Sequence, residues 1–530
     1  MPSTPPPRTD AAPAMQLPAG LTPVLRVVLL SLASLAVLTA CGGSSSGGDG
    51  GALAAKTPTG FQVVLEVDPD AEVVGNFVYR SLNAALQAAH DAVAQGTDPG
   101  AVVVRVKGGG LPVAPVGYGG VEPVDGGWLA EGETGPRPAF PVRLVPGVRV
   151  EGVPHPLTKL PPRITVSEVH AGGARFEGWG ERAALVLGAD GATLSGFTLV
   201  GRAYLHKSSD GLEGVYARAV AGFTVEDCLF DNLFDGLCLT ADTGERLTAT
   251  VRDCSVFGSF PFLGGDVPEE DQGHAGLWVT GRGDLEVSIT GCTFGGSHDG
   301  VEIAGVEDRT TALVLLNRCD FLGNENGLEV VGGGQIEFEV DRCLFVGNHN
   351  LPGGVPFVQE SGAFASTAGI AIRGRDIQAR VRGSRFHNNG YGVLWLPSSN
   401  SVRAELDLGR HPSLDPGLNV FTLDLGAFAV GTNPVRVCLM NAAPPGQAPV
   451  WAAGNTWHAG PGAQGAETDG VLRGVVLAGP GGVNLPKIDG QGLAVPPGPL
   501  DGVCCDPDTD EPWLRNFSIA PAAAIDFGTL

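Results

Sequence analysis

The chain has 530 residues, of which 43% are apolar and 81 are Gly, and its formal net charge at pH 7 is -24. This apolar content excludes a disordered chain, and Gly without a G-X-Y period excludes collagen and indicates a fold with many tight turns. A strongly acidic chain lacks the basic face that nucleic acids and anionic membranes require, so we expect neither of them as a partner.

The first 41 residues (1–41) have the layout of an export signal. Arg8 and Arg26 supply positive charge, an apolar run follows from Val27 to Leu38, and "LTAC" ends it at Cys41. The run is too short to span a bilayer comfortably. This arrangement resembles a bacterial lipoprotein signal with its lipobox, which implies that Cys41 is the lipidated N-terminus of the mature protein. An ordinary secretory signal with an incidental Cys41 is the alternative.

Residues 42–58 are expected to form a tether, because "GGSSSGGDGG" has the composition of a flexible Gly/Ser linker. The lipoprotein resemblance implies a protein held at the bacterial cell envelope by its lipid anchor alone. Gly rather than Asp at position 42 implies the outer membrane, by the sorting rule of that family.

Residues 59–182 predict an N-terminal cap and the first strands. The segment "FQVVLEV" predicts a strand, and "SLNAALQAAHDAVAQG" has apolar residues at helical spacing, with Ser81 as N-cap and Gly96 as the C-terminal stop. Short strands follow in "AVVVRVKGGG" and "FPVRLVPGVRVEGV". A single helix before a long run of strands would cover the open end of a stacked sheet, whose edge otherwise promotes aggregation.

Residues 183–408 contain a repeat in which most members share a Cys, a Phe two residues later and a Gly six residues after the Phe. The Cys positions are Cys228, Cys254, Cys292, Cys319 and Cys343, and Ser384 takes the same place in the next repeat. The Phe positions with their Gly are Phe230, Phe294, Phe321 and Phe386, followed by Gly236, Gly300, Gly327 and Gly392. A period near 25 residues with about three short strands is the length of one coil of a parallel β-helix, whose coils stack about 4.8 Å apart. Equivalent residues should therefore stack into ladders, with the Cys as small buried hydrophobic residues.

These units, of the form h-x-[DNRG]-C-x-F-x-G-N-x-x-G-h, resemble the pectin-lyase-like superfamily of right-handed parallel β-helices. The resemblance implies an all-β fold, a right-handed parallel β-helix or solenoid with a short N-terminal capping helix and irregular C-terminal coils. The front segment resembles uncharacterised lipoproteins built on this repeat. Lyases, hydrolases, epimerases and non-enzymatic surface proteins share this scaffold, so the resemblance implies carbohydrate as the favoured ligand class and no particular reaction.

Three insertions occur at the turn between the Phe and the Gly of a repeat. They are "RAYLHKSSDGLE", "PFLGGDVPEEDQGHA" and "HNLPGGVPFVQESGAFASTA". Because coils stack, loops inserted at one corner line one edge of the solenoid, and such loops concentrate on binding faces. Decorative surface loops are the alternative.

A first row of candidate site residues lies two positions after each turn Gly. Its members are Tyr216, Cys238, Trp278, Glu302, Glu329, Ala371 and Leu394. Their neighbours in sequence are apolar and take the interior face, so this row should point outward. Glu302 and Glu329 would lie about 5 Å apart on adjacent coils, where one carboxylate raises the pKa of the other or both hold a cation such as Ca²⁺. We predict Glu302 and Glu329 as catalytic residues, and Tyr216 and Trp278 as substrate-binding residues.

A second row lies two positions before the same Gly and contains His274, His298 and Glu325 on consecutive coils. With Asp299 beside it, this cluster suits general acid/base chemistry or a divalent metal held by N and O ligands. We predict His298 as catalytic and His274, Asp299 and Glu325 as substrate-binding. Polar residues that are simply solvated at turns are the alternative, and no recognised metal motif assigns a metal ligand.

The sequence leaves open whether the protein is an enzyme, and if it is one, a polysaccharide hydrolase is favoured over a lyase. A pectate-lyase-like mechanism needs a basic residue at this edge, and His206 and Lys207 both lie in an insertion. A hydrolase using Glu302 and Glu329 about 5 Å apart would have the retaining arrangement. The resemblance instead implies an inverting reaction, because the related hydrolases usually invert. The Asp triad and the basic motif of those hydrolases are missing from this sequence.

Residues 409–530 predict the final irregular coils and a Pro/Gly-rich C-terminal cap. One disulfide from Cys438 to Cys504 or Cys505 is compatible with the sequence, which does not choose between them.

The leading hypothesis is an envelope-anchored, monomeric β-helix lipoprotein that binds a neutral or cation-bridged polysaccharide along the insertion edge. A stronger form of this hypothesis is that the protein also cleaves the polysaccharide. The alternative is a non-catalytic surface or periplasmic structural protein.

The lipobox interpretation predicts the behaviour of a Cys41→Ser variant. Since acylation requires the thiol of Cys41, the variant should accumulate as an unprocessed or soluble form and should not incorporate a labelled fatty acid. Metabolic labelling combined with membrane fractionation checks this. An unchanged membrane fraction for Cys41→Ser would contradict the assignment.

Overall fold

The described part of the chain is a stack of coils, each of which contributes one strand to each of three parallel sheets in the order A, B, C. This computed structural model describes residues 62–68, 77–79, 81–108, 117–118, 141–157, 159–165, 183–201, 212–258, 275–305, 310–348, 368–387, 389–398, 401, 403–410, 414–423, 436–441, 450–452, 454–459 and short strand pairs from 467 to 495. Cys41, the bodies of the three insertions, and His274 lie outside these residues.

The three sheets are built as the repeat predicts. Sheet A contains, in the described residues, Val78–Tyr79, Val63–Val67, Val102–Lys107, Arg149–Val153, Thr193–Ser195, Phe223–Glu226, Arg246–Arg252, Asp284–Thr290, Thr311–Asn317, Gln335–Asp341, Ile377–Arg382, Glu405–Asp407 and Val450–Trp451. Sheet B contains Gly117–Tyr118, Arg163–Thr165, Thr198–Val200, Leu229–Leu233, Ser255–Gly258, Thr293–Gly295, Asp320–Leu322, Leu344–Val346, Arg385–His387, Val420–Leu423 and Thr456–Ala459. Sheet C contains Val142–Arg143, Ala183–Leu187, Leu212–Arg218, Asp235–Ala241, Ala275–Gly281, Asp299–Gly305, Asn326–Gly332, Ala368–Gly374, Tyr391–Pro397, Arg436–Asn441 and Val483–Asn484.

The fold is a right-handed parallel β-helix. The repeat predicted the parallel β-helix, and the family resemblance implied its handedness. Each insertion connects a strand of sheet B to the following strand of sheet C, so all three begin and end at the same corner. Near the C-terminal end, two antiparallel pairs join Glu467–Thr468 to Val471–Leu472 and Lys487–Ile488 to Ala494–Val495.

A stack of Phe rings runs through the interior beneath sheet B. The ring centroids of Phe294, Phe321, Phe345, Phe386 and Phe421 are separated in turn by 5.4, 4.6, 4.8 and 4.5 Å, with the rings stacked. Each of these rings is at most 2% exposed. Offset or parallel stacking of this kind adds to the large apolar area that each ring buries.

The Gly that follows each Phe is required by close packing between coils. A Cβ atom at Gly300 would lie 2.5 Å from the carbonyl oxygen of Gly327 and 2.9 Å from Cδ1 of Phe321. At Gly327 the corresponding distances are 2.6 Å to the oxygen of Gly369 and 2.7 Å to Cδ1 of Phe345. Any larger residue would push neighbouring coils apart, which explains the constant spacing of Phe and Gly in the sequence.

A second internal ladder is formed by the repeated Cys. Cys228, Cys254, Cys292, Cys319 and Cys343 are all free thiols and at most 2% exposed, as predicted. The backbone N–H of Cys343 donates to Oγ of Ser384 at 3.1 Å, so Ser384 continues the ladder in the place of a Cys. The disulfide considered for Cys438 with Cys504 or Cys505 lies outside the described side chains.

Asparagines form a third ladder at the turn that leads into sheet C. The Nδ2 of Asn324 donates to the Oδ1 of Asn348 at 3.1 Å, and the Nδ2 of Asn348 donates to the Oδ1 of Asn389 at 2.8 Å. The three side chains are at most 1% exposed and also bond to backbone groups of neighbouring coils. They satisfy buried polar groups at a corner where the sheet ladder is interrupted.

The predicted N-terminal helix spans Leu82–Ala94 and packs its apolar side on the first strands of sheet A. Leu82, Ala85, Leu86 and Ala89 belong to the hydrophobic core. Gly96 has φ +96° and its N–H donates to the carbonyl of Val93, so it ends the helix as expected. Ser81 has the extended backbone of an N-cap, but its side chain makes no capping hydrogen bond. In the described ranges, no helix is both long and apolar enough to cross a membrane.

The Phe ladder predicts a large difference between two adjacent residues. Phe321 is fully buried in the stack, so Phe321→Ala should lower the free energy of unfolding by about 3 to 5 kcal/mol. Leu322 on the same strand is 38% exposed on the outer face, and Leu322→Ala should cost about 1 kcal/mol or less. Chemical denaturation of both variants measures the difference, and equal losses would contradict the inward and outward assignment.

Candidate functional site

The first predicted row exists as a ladder across sheet C. Strand pairing aligns Tyr216 with Cys238, Cys238 with Trp278, Trp278 with Glu302, Glu302 with Glu329, Glu329 with Ala371, and Ala371 with Leu394. On either side of Glu302, Val301 and Ile303 belong to the hydrophobic core. Glu302 and Glu329 therefore lie on the opposite face of the sheet, on neighbouring strands that are about 4.8 Å apart.

Most of this row is withdrawn from solvent, which the sequence did not indicate. Glu302 and Glu329 are each 7% exposed, and Cys238, Ala371 and Leu394 are at most 3% exposed although none of them belongs to the hydrophobic core. Tyr216 and Trp278 are half-buried. The row is a covered face of the sheet, so its carboxylates lie in a poorly solvated environment.

The second predicted row brings His298, Asp299 and Glu325 together. The Nδ1 of His298 lies 2.7 Å from Oδ2 of Asp299, and its Nε2 lies 3.2 Å from Oε2 of Glu325. Asp299 is 1% exposed and Glu325 is 8% exposed. The imidazole is thus placed between two buried carboxylates from adjacent coils.

Arg373 is a member of the site that sequence reasoning missed. Its Nη1 lies 3.2 Å from Oε1 of Glu329, and it comes from the strand of the next coil, two positions after Ala371. The signal was available, because strand alternation places position 373 on the same face as the row. A row defined by a single position of each strand does not include it.

The surroundings of Glu329 make it hard to ionise. Burial raises the pKa of the Glu329 carboxyl, and the negative charges of Asp299 and Glu325 raise it further. Arg373 and His298 act in the opposite direction, and the resulting pKa is about 7. A carboxyl with this pKa exchanges its proton near neutral pH, which is the property required of a catalytic acid or base.

The surroundings of His298 favour its charged form. Burial lowers the pKa of the imidazole, but Asp299, by its charge and its hydrogen bond, raises it, and the charges of Glu325 and Glu329 add to this. The resulting pKa is about 10. At neutral pH His298 is therefore an imidazolium, and a proton-accepting role does not fit this state.

Within the described residues, no group of three or more His, Cys, Asp or Glu side chains is arranged to hold a metal ion. The predicted participation of His274 in this cluster lies outside the described residues.

The coil pattern is matched by one protein-family model. Residues 176–406 match the family described as right handed beta helix region. The chain is a right-handed parallel β-helix protein. No curated protein sequence matches it.

Three solved structures resemble this β-helix at low sequence identity. A surface adhesin of Streptococcus pneumoniae is 10% identical over 87% of this chain and 99% of its own, with a TM-score of 0.43. The A-module of a mannuronan C-5 epimerase of Azotobacter vinelandii is 13% identical over 71% and 95%, with a TM-score of 0.34. Tailspike protein 3 of bacteriophage CBA120 is 11% identical over 83% and 67%, with a TM-score of 0.34. None of these likenesses assigns a ligand or a reaction to this β-helix.

The raised pKa of Glu329 predicts a pH dependence of stability. The folded pKa of about 7 lies above the ordinary value of 4.5, so the folded state binds an extra proton between these values. The stabilisation is complete below pH 4.5 and is lost as the pH rises through about 7. Glu329→Gln should therefore gain stability relative to the wild type as the pH rises across this window.

Denaturation curves at several pH values check this prediction. The matched control is Glu337→Gln, which removes a carboxylate from the exposed face of sheet A. A Glu329→Gln variant that follows the wild type at every pH would show that Glu329 ionises normally.

Proposed function

We propose that the β-helix binds and hydrolyses a neutral polysaccharide at the covered face of sheet C around Glu302 and Glu329. The observation that carries this proposal is the pairing of these two carboxylates on adjacent strands, with the pKa of Glu329 raised to about 7 by burial and by Asp299. Two carboxyl groups with different environments are what glycoside hydrolysis requires, one as acid and one as base or nucleophile.

In this proposal Glu329 is the acid and Glu302 the partner carboxylate. Glu329 would protonate the glycosidic oxygen, since it holds a proton near neutral pH. Glu302 would attack the anomeric carbon from the neighbouring strand while the bond to the protonated glycosidic oxygen breaks. Glu329, now a carboxylate, would then take a proton from a water molecule that hydrolyses the glycosyl ester and frees Glu302. The strand spacing of about 4.8 Å is close to the separation of about 5 to 5.5 Å found in retaining glycosidases, so the product should retain its configuration.

The charges around the pair favour a neutral ligand over an anionic one. Asp299, Glu302, Glu325 and Glu329 supply four carboxyl groups, whereas the described cations of the cluster are His298 and Arg373. Even with Glu329 protonated, an excess of negative charge remains, and it would repel a uronate or a sulfated sugar. In a variant of this proposal, the ligand is an acidic polysaccharide, and a divalent cation bridges its acidic groups to the carboxylate pair.

Trp278 extends the proposed site along the row. It occupies the strand next to Glu302 and is half-buried, and its ring offers apolar area to the C–H groups of a sugar. Tyr216 lies two strands further away, with Cys238 between them. The sugar chain would then run across the strands, along the axis of the solenoid.

The N-terminal sequence supports a cellular setting for this β-helix. We expect the β-helix to be monomeric and held at the bacterial envelope by lipid at Cys41, with the outer membrane as its destination. Anchoring of this kind would leave the coils free to meet an extended polysaccharide.

A second candidate function is a non-catalytic structural protein. The low exposure of Glu302 and Glu329, 7% each, favours it, because a covered carboxylate pair can also be a satisfied internal network. If the protein is a hydrolase, changing these carboxylates should lower turnover. If it is a structural protein, the same changes should alter stability alone.

The deciding experiment measures release of reducing ends from neutral glucans, mannans and xylans, with polygalacturonate and alginate as anionic comparisons. Wild-type protein should act on a neutral polymer, and Glu302→Gln and Glu329→Gln should each lower turnover by about 10² to 10⁴-fold while binding persists. Trp278→Ala should weaken binding. Proton NMR of the first product reports whether configuration is retained.

Glu337→Gln is the matched control, because it removes one carboxylate from the exposed face of sheet A of the same coils. It should behave as the wild type. Loss of activity on adding EDTA, with recovery on adding Ca²⁺, would favour the cation-bridged variant. Wild-type turnover in both site variants would overturn the assignment of these residues, and binding without turnover by the wild-type protein would favour a binding module.

A further inference from the structure

A chain of buried hydrogen bonds connects the backbone of one coil to His298 on another. The N–H of Ala368 donates to Oδ1 of Asn326 at 3.0 Å, and Nδ2 of Asn326 donates to Oδ1 of Asp299 at 3.0 Å. The other oxygen of Asp299 lies 2.7 Å from Nδ1 of His298. Asn326 and Asp299 are each 1% exposed, so this relay is shielded from water.

The geometry at His298 defines its protonation state. Both ring nitrogens face carboxylate oxygens, Nδ1 at 2.7 Å from Asp299 and Nε2 at 3.2 Å from Glu325. A neutral imidazole carries one N–H and would turn a bare nitrogen lone pair towards one of the two carboxylates. An imidazolium donates to both of them, so the arrangement is complete only with a charged ring.

Asn326 can both donate and accept a hydrogen bond at this position, whereas an ionised Asp could only accept. Its amide donates to Asp299 and its carbonyl accepts from Ala368, which uses both ends of the side chain. An Asp at this position would set a second buried carboxylate against Asp299 with no donor between them. The amide of Asn326 therefore holds one oxygen of Asp299 in place and leaves the other directed at His298.

We propose that Asn326, Asp299 and Glu325 are positioning residues that hold His298 as a permanent cation beside Glu329, and that His298 does not itself transfer protons. This inference rests on the proposed function for its catalytic meaning. Among the described residues, the charged groups that face His298 are Asp299 on its own coil and Glu325 and Glu329 on the next. Arg373 approaches Glu329 from the following coil and supplies the second cation.

The role of this cation is to stabilise the charge that appears on Glu329 when it gives up its proton. His298 lowers the pKa of Glu329, whereas Asp299 and Glu325 alone would raise it. A fixed imidazolium therefore keeps Glu329 able to release its proton in spite of its burial.

Nitrogen-15 NMR of the full-length protein with labelled histidine tests the charge directly. The chain has 10 His, and the spectrum of His298→Gln identifies the signal of His298. In the wild type this signal should remain that of an imidazolium at pH 8, since the pKa of the ring is about 10. Glu325→Gln and Asp299→Asn should move its titration to lower pH, Glu325→Asp should restore it in part, and Glu337→Gln should leave it unchanged.

This measurement does not depend on any substrate, so it separates the relay from the proposed function. A His298 signal that titrates near its ordinary value of 6.5 in the wild type would overturn the inference even if the protein proves to be a hydrolase. An unchanged titration in both Glu325→Gln and Asp299→Asn would overturn it as well.

Kinetics on a polysaccharide that the protein cleaves test whether the charge of His298 acts on proton transfer by Glu329. His298→Gln removes the cation, so the pKa of Glu329 should rise and the alkaline limb of the pH–rate profile should move to higher pH, with turnover reduced but retained. A loss of about 10² to 10⁴-fold together with the disappearance of one limb would instead identify His298 as the proton-transferring group.

Discussion

The close fit between a Phe ring and a Gly backbone is the constraint on which the coil stack depends. At Gly300 and Gly327 a Cβ atom would approach both the backbone and the Phe ring of an adjacent coil to within 3 Å. This contact fixes the register of each coil on the next, because a shift by one residue would place a side chain where only hydrogen fits. Glu302 and Glu329 stand on neighbouring strands because the register cannot slip.

The same rigidity concentrates charge at one place on sheet C. Carboxylates from Asp299, Glu325 and Glu329 meet on neighbouring coils, and the in-register strands give them no freedom to separate. Withdrawing such groups from water is costly unless they are paired and hydrogen-bonded. His298 and Arg373 supply positive charges that pair with these carboxylates. Glu329 reduces the remaining negative charge, because it holds a proton near neutral pH.

Much of the candidate site could be predicted by counting from the repeated Gly. Translational symmetry of a β-helix turns equal positions in successive repeats into spatial neighbours, so the repeat alone identifies the row containing Trp278, Glu302 and Glu329. The meeting of His298 with Glu325 followed from the same count. Asn326 and Arg373 were missed, because Asn326 resembles the other turn residues and Arg373 acts from a different strand position.

The sequence by itself determined the coil, the Phe and Cys ladders and the membership of each row, because periodic apolar residues and obligatory Gly positions leave one stacking arrangement. The tertiary structure alone decided that the row on sheet C is covered, that His298 lies between two carboxylates, and that Glu329 titrates near neutrality. Alternation along a strand separates the two faces of a sheet, but the solvation of a carboxylate on the outer face depends on every group packed around it from other coils.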